Sequence, residues 1–389
     1  MRLKDQKEDN RLRQLRGIPL NSRKRIIGKI SKILIKTRET KKCILATASI
    51  EKKLRGFKAV LCSTAIEDEK ANRLKIPIVH SVENIEVLCE GDIVSLDMMT
   101  GDIIVLYEKN SIHNSILAST DCNCRCIMCP QTLVKDSPQK LRDNLEIIRL
   151  IYKGTMALGI TGGEPTLLGN GLIRLLKQCK KHLPHTQVQI LTNGILLKDS
   201  EYVRKIARLG MKNLIFCVPL YADTDKEHEL IMQRKGAFED TIQGLYNLAT
   251  NRQLVEIRIV VMSLNFQRLP HIAEFIYHNL PFAIHVAFMG MEVEGLARKN
   301  MERLWVSPKE YSPYLREAVF YLSQRNMNVS IYNEQLCLLP KDIWDFTCKS
   351  ISEWKNIYLE ECSECSEKNR CGGFFASPPQ ALKALIQPL

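Results

Sequence analysis

The sequence predicts an α/β protein: a partial (β/α)6 TIM-like barrel, with a small N-terminal β-rich domain before it and a cysteine-rich C-terminal extension after it. Three observations predict this. From about residue 113, short apolar runs alternate with stretches of helical period. Ahead of them the apolar runs are short, β-rich and bounded by turn residues. Behind them, five of the chain's 14 cysteines fall after residue 336.

The barrel, placed at 113–300, has six expected strands: SILAST, TMALGIT, QVQILT, NLIFCV, VEIRIVVM and AIHVAFM. Helical patterns lie between them, as at Leu141, Leu145, Ile148 and Ile151 and in segments 236–250 and 269–279. A strand followed by a helix six times over implies right-handed crossovers and a parallel sheet. Such barrels carry their chemistry at the C-terminal strand ends. Three unusual stretches fall there: TDCNCRCIMCPQ at 120–131, Gly162-Gly163-Glu164-Pro165, and Thr192-Asn193-Gly194. Each of the last two also reads as a plain turn. Arg258, on the fifth strand, reads as half of a structural ion pair.

Residues 1–17 alternate charges with little apolar content and are expected to form a basic flexible tail. The β-rich domain at 18–112 includes DIVSLD and DIIVLY flanking MMTG, a hairpin signal. Residues 301–336 read as a helical linker and 337–389 as the cysteine-rich region and tail. Residues 1–60 hold 19 Lys and Arg against 5 Asp and Glu, which accounts for the whole basic excess of a chain with net charge +13. Such a region suits an acidic partner or nucleic acid, or is simply a solvated surface. No window has the apolar length of a membrane span or the apolar core of a signal peptide, so a cytoplasmic protein without a membrane partner is expected.

A reducing cytosol does not sustain a disulfide framework, so the cysteines need another explanation. Cys43, Cys62, Cys89, Cys179 and Cys217 sit singly among apolar neighbours and read as core residues. The others cluster. Cys122, Cys126 and Cys129 form Cys-x3-Cys-x2-Cys. Thiolates hold iron–sulfur clusters, normally four per cubane, and three leave one iron open to an exogenous ligand. Structural zinc, by contrast, takes four closed ligands from two separated knuckles.

With Gly162-Gly163-Glu164-Pro165 and LTNG at 191–194 following in order, the chain resembles the radical S-adenosylmethionine (SAM) superfamily. That resemblance implies that Cys122, Cys126 and Cys129 bind a [4Fe-4S] cluster whose free iron takes the amino and carboxylate groups of SAM. It places Gly162, Gly163, Glu164 and Pro165 against the methionine end of SAM and makes Asn193 a SAM contact. One electron from the cluster would then cleave SAM to methionine and a 5′-deoxyadenosyl radical. Position 124 is usually not cysteine in the superfamily, so a ligand set using Cys124 stays open, although spacing favours the other three.

The second group, Cys362-x2-Cys365-x5-Cys371, resembles part of the auxiliary-cluster domain of peptide-modifying radical SAM enzymes. With Cys337 as fourth ligand it would hold one further [4Fe-4S] cluster. Cys348 competes for the fourth position, and a zinc site would also be satisfied by four cysteines.

Three longer stretches resemble the His-Xaa-Ser system radical SAM maturases: GDIVSLDMMTGDIIVLYEKNSIHNSILASTDCNCRCIMCPQ, NLIFCVPLYADTDKEHELI, and SISEWKNIYLEECSECSEKNRCGGFFAS. This implies a peptide substrate with His-Xaa-Ser repeats, a partner radical SAM maturase, and a one-electron reductant such as a flavodoxin or ferredoxin. Two rival readings stand: a radical SAM enzyme modifying nucleic acid, which ought to show an RNA-binding motif and does not, and a non-catalytic zinc protein.

Overall fold

The computed structural model describes residues 14–33, 40–50, 54, 56–131, 137–349, 356–375 and 378–389. Most of the expected tail, residues 1–13, lies outside these. The chain forms two compact units, one of Met1–Ile116, Ser137–Leu158 and Arg174–Thr186, the other of Leu117–Asp136, Gly159–Ile173 and Gln187–Leu389. Among the described residues no helix is long and apolar enough to cross a membrane.

The first unit holds β1 (Gln14–Arg16), β2 (Ile18–Leu20), β3 (Ile26–Ser31), β4 (Cys43–Thr47), β5 (Ala59–Cys62), α1 (Asp68–Leu74), β6 (Ile78–His80), β7 (Ile93–Leu96) and β8 (Asp102–Tyr107). The strand order is β1-β8-β7-β3-β4-β5-β6-β2. β1 and β2 therefore stand at opposite ends of the order, yet the single residue Gly17 joins them, so the sheet closes on itself. The seam is tight. Gly17 N donates to Gly101 O at 3.1 Å, and a Cβ on Gly17 would lie 2.6 Å from His80 O. The end of the expected tail, Gln14–Arg16, is thus a strand paired antiparallel with β8.

The expected hairpin is present as β7 and β8, paired antiparallel with Leu96 opposite Ile103. Its turn is set by Asp97, whose Oδ1 accepts from Met99 N at 2.8 Å. The parallel strands β4, β5 and β6 are buried on both faces, which is why AVLC reads as an unbroken apolar run. Ile44, Ala46, Leu61 and Val79 face one core with Ile30, Leu96 and Ile103. Leu45, Val60, Cys62 and Ile78 face another with Phe57 and Ala71 of α1. Helix α2 (Pro138–Leu150) packs on β3, tied by Arg25–Asp143 at 2.8 Å and Lys58–Glu146 at 2.6 Å.

The second sheet carries β9 (Asn114–Ser119), β10 (Ala157–Gly162), α3 (Asn170–His182), β11 (Gln187–Leu191), α4 (Ser200–Ala207), β12 (Leu214–Pro219), α5 (Asp225–Met232), α6 (Ala237–Thr250), β13 (Leu254–Val261), α7 (Leu269–Asn279) and β14 (His285–Gly290). Then follow α8 (Gly295–Lys299), α9 (Met301–Leu304), α10 (Pro308–Ser323), β15 (Val329–Tyr332), β16 (Thr347–Cys348) and α11 (Gln380–Lys383). The strands run in chain order from β9 to β16, and β11 through β16 pair in parallel. All six expected strands are present. Two short ones extend the sheet, and β15 rises inside the stretch read as a helical linker. Four residues are too few for a period-2 signal, and α10 supplies the helical pattern that dominates that stretch.

Arg258 is in the expected ion pair, its Nε donating to Glu256 Oε1 at 2.6 Å. His285 Nδ1 stands 2.9 Å from the other Glu256 oxygen, and its Nε2 is 2.9 Å from Ser330 Oγ. Burial alone would raise the Glu256 carboxyl, but His285 and Arg258 hold it at about 2. Of the five single cysteines, Cys62, Cys179 and Cys217 are buried, while Cys43 and Cys89 are half-buried.

The seam generates a test. At Gly101 φ is +78°, and a Cβ would stand 1.9 Å from Gly17 O. Gly101→Ala should cost about 2–4 kcal/mol, the sum of left-handed backbone strain and a backbone clash. Chemical denaturation measures it, and a loss under 1 kcal/mol would show that the seam relaxes freely.

Candidate functional site

The cysteine loop leaves β9 and is tied down along its length by backbone bonds. Arg125 N donates to Met232 O at 3.2 Å and Ile127 N to Ile231 O at 3.0 Å, both at the end of α5. Asn300 Nδ2 donates to Ile127 O at 2.8 Å, and Leu296 N to Cys129 O at 2.8 Å. Arg234, in the turn after α5, donates from Nη1 to Asn123 O at 2.9 Å and brings a cation to the loop. Ile127 and Met128 pack with Tyr221, Ile231, Met232 and Met262 beneath it.

Cys122, Cys126 and Cys129 are half-buried, whereas Cys124 is buried and accepts from Asn193 Nδ2 at 3.6 Å. Burial pushes all four thiols up, Cys124 to about 12, so each is protonated when free. Metal binding at these thiols therefore releases protons.

Gly162, Gly163, Glu164 and Pro165 stand at the end of β10. The close approach that the glycines permit is to the cysteine loop's own backbone. Gly163 N donates to Ser119 O at 2.8 Å and Glu164 N to Asp121 O at 2.7 Å. A Cβ on Gly163 would lie 2.1 Å from Asp121 O. Pro165 is buried and opens a short 3-10 turn.

The Glu164 side chain is 0% exposed. Its Oε1 accepts from Thr166 N at 2.8 Å, Thr166 Oγ1 at 2.6 Å and Thr192 Oγ1 at 2.6 Å, and its Oε2 accepts from Asn193 N at 2.7 Å. Burial still raises it, and these donors oppose that rise. Asn193, at the end of β11, passes the connection on, with Nδ2 donating to Asn123 Oδ1 at 2.6 Å. Three strand-end turns are thus joined through one carboxylate and one carboxamide.

Tyr221 and Arg234 are neighbours of the loop that the sequence reading did not pick out. Tyr221 follows β12, and burial together with all four thiols of the loop pushes its phenol up. His228 fixes it from behind, its Nδ1 accepting from Tyr221 N at 3.2 Å. The signal for Tyr221 was an aromatic residue just past the C-terminal end of a barrel strand. The signal for Arg234 was a lone cation in a turn, which is common everywhere.

Cys337, Cys362, Cys365 and Cys371 line one cavity, while Cys348 lies in β16 opposite Tyr332. Backbone N–H groups point at two of these thiols: Gly373 N to Cys371 Sγ and Leu389 N to Cys365 Sγ, each at 3.5 Å. Among the described residues no three His, Cys, Asp or Glu side chains surround a single ion position.

The loop's residues fit an iron–sulfur cluster with an organic ligand. Cys122, Cys126 and Cys129 are soft donors within electrostatic reach of one another. Beside them, Asn123 Nδ2 is buried with no hydrogen-bond partner among the described residues, a donor that a ligand acceptor would satisfy. The four C-terminal thiols fit a second thiolate-bound centre by the same chemistry.

Two tests follow. Glu164→Gln must turn its NH2 toward either the Thr166 or the Asn193 backbone N–H. It should cost about 1–3 kcal/mol in chemical denaturation and speed amide exchange at Asn193 or at Thr166; unchanged exchange at both would show that the carboxylate does not tie the turns. Cys337→Ser should lower iron content after anaerobic reconstitution, while Cys348→Ser should leave it unchanged. The reverse result would exchange their roles.

Residues 116–276 match the family described as Radical SAM superfamily. The GTP 3′,8-cyclase of Petrotoga mobilis is 31% identical over 198 residues, which cover 49% of this chain and 58% of that protein. The GTP 3′,8-cyclase of Peptoclostridium acidaminophilum is 26% identical over 205 residues, covering 51% and 60%. The chain thus spans under two thirds of these relatives' length. Streptococcus suis SuiB bound to precursor peptide SuiA is 16% identical over 58% of this chain and 49% of that one, with a TM-score of 0.49. The matched span takes in the cysteine loop and the turns after β10 and β11, and over it the chain carries a radical SAM domain, the fold of enzymes that use a [4Fe-4S] cluster and SAM.

Proposed function

We propose that the chain is a radical SAM peptide maturase acting on a ribosomally made peptide with His-Xaa-Ser repeats. Cys122, Cys126 and Cys129 hold the [4Fe-4S] cluster, and the turns at Gly162–Pro165 and Asn193 receive SAM. The observation that carries this reading is the junction of three strand-end turns through Glu164 around a loop of soft donors. When bound, the cluster and SAM supply hydrogen-atom abstraction from an unactivated carbon.

The chain's own residues position that chemistry. Glu164 acts through the turns, fixing Asn193 and the β10 end against the loop. Asn123 offers an unsatisfied N–H, and Arg234 sets a positive charge beside a centre rich in thiolates. Ile127, Met128, Tyr221 and Met262 keep water from beneath the loop. Cys337, Cys362, Cys365 and Cys371 hold a second [4Fe-4S] cluster, with zinc as the alternative occupant. A partner maturase and a flavodoxin or ferredoxin as reductant come with the same reading.

The curated relatives' name favours a second reading, in which the substrate is GTP. The cleft at the ends of β13 and β14 bears against it. Its lining includes Val261, Gly290 and the carboxyl of Glu334, and among the described residues no Lys or Arg. A triphosphate needs cations, and this cleft supplies none.

The decisive measurement is 5′-deoxyadenosine formation by the reduced, anaerobically reconstituted chain. Alanine at 122, 126 and 129 together should abolish it while leaving the iron held by the second site. Alanine at 362, 365 and 371 should retain some SAM cleavage and lose modified peptide. A His-Xaa-Ser peptide should raise SAM turnover where GTP does not. If GTP is consumed and the peptide is inert, the second reading holds.

A further inference from the structure

Glu334 is 2% exposed and lies two residues past β15. The chain turns there through Asn333, whose φ is +64° and whose Nδ2 donates to Gly290 O at 3.2 Å. One glycine clears space for the Glu334 carboxyl and another for its backbone. A Cβ on Gly290 would stand 2.6 Å from Glu334 Oε1, and one on Gly372 would stand 2.6 Å from Glu334 O. The carboxyl accepts a short hydrogen bond from Tyr311 of α10, the titratable neighbour that acts on it. Burial raises it to about 8, and no basic side chain contributes to that shift.

The cleft around Glu334 is mostly apolar, walled by Val261, Met291, Trp305 and Phe374, with Tyr311, Asn333 and Gln335 as its other polar residues. Gln335 and Phe374 also line the cavity of the four C-terminal cysteines. Met291 and Leu304 belong to the apolar cluster under the first cysteine loop. The cleft therefore adjoins both cysteine sites. A buried carboxyl in a mostly apolar wall is costly, and glycine at 290 keeps room for it. Such a site complements a ligand whose apolar stem fills the cleft and whose cationic nitrogen takes the carboxylate.

We infer that this cleft is the substrate subsite, and that Glu334 pairs there with a cationic nitrogen, an ammonium or an imidazolium, carried on an apolar or ring-bearing side chain. The inference deepens the reading of the chain as a SAM-dependent modifying enzyme, since it names what the substrate must present between the two cysteine sites. Glu334 is the residue that touches substrate, and Tyr311 positions it.

Benzylamine tests this without SAM or reductant, so that failure here leaves SAM cleavage unaffected, and failure of SAM cleavage leaves this result standing. Calorimetric titration of the anaerobically purified full chain should show saturable binding of one benzylamine. The amine stays protonated between pH 6 and 7.5, so pairing requires Glu334 to lose its proton, and affinity should rise about tenfold per pH unit over that range. Benzyl alcohol, of the same shape without the charge, should bind with no such slope. Glu334→Gln should weaken benzylamine binding roughly tenfold or more and abolish the slope, with circular dichroism and iron content reporting its fold. A wild-type affinity that does not change with pH, equal slopes for the amine and the alcohol, or no saturable binding would each overturn the assignment.

Discussion

A single carboxylate with no exposure holds the candidate site together. Glu164 receives four donors from the turns after β10 and β11, and its own backbone N–H binds the cysteine loop after β9. A parallel sheet fixes where its strands end but leaves the loops beyond them free to diverge. Cross-linking three of them through one buried acceptor sets their mutual geometry before any ligand arrives. Asn193 then extends the link to Asn123, and Arg234 reaches Asn123 from the other side. The donors to a cluster are thus positioned by polar bonds deep in the fold, out of competition with water.

Much of this was legible in the sequence. The strand–helix rhythm survives because parallel strands buried on both faces are continuous apolar runs, and glycine, proline and crowded thiols mark the turns between them. What Glu164 does was not legible: as part of a four-residue motif it looked like a ligand contact, while its oxygens turn inward to Thr166, Thr192 and Asn193. Glu334 was invisible for a related reason. It has no local pattern, and its significance comes from chain segments meeting across the sheet. The closure of the first sheet at Gly17 was equally hidden, since β1 and β2 are three residues each and carry no periodicity.

The second cysteine site shows where spacing alone falls short. In sequence Cys337 was the expected fourth ligand and Cys348 its competitor, both upstream of the same triad. Strand pairing separates them: β16 binds its Cys348 backbone against Tyr332, while Cys337, in a short 3-10 turn beyond β15, lines the cavity with Cys362, Cys365 and Cys371. The distinction depends on β15 and β16, two strands too short to announce themselves.

Three buried carboxyls along the barrel strands and the turns at their ends have three different electrostatic settings, and the contrast separates scaffold from function. Glu256 meets Arg258 and His285 and is held at about 2, a closed ion network that needs nothing more. Glu164 meets hydroxyl and amide donors, which satisfy both oxygens without a counter-charge. Glu334 has a phenol and one glycine, Gly290, that clears room for its carboxyl, and it stays protonated up to about 8. The first two are complete within the chain. A carboxyl kept in an apolar wall with one donor is stabilised further by any cation that enters, because the gain in pairing is largest where the protein supplies least. The unequal treatment of chemically identical groups therefore marks Glu334, of the three, as the one built to meet something from outside.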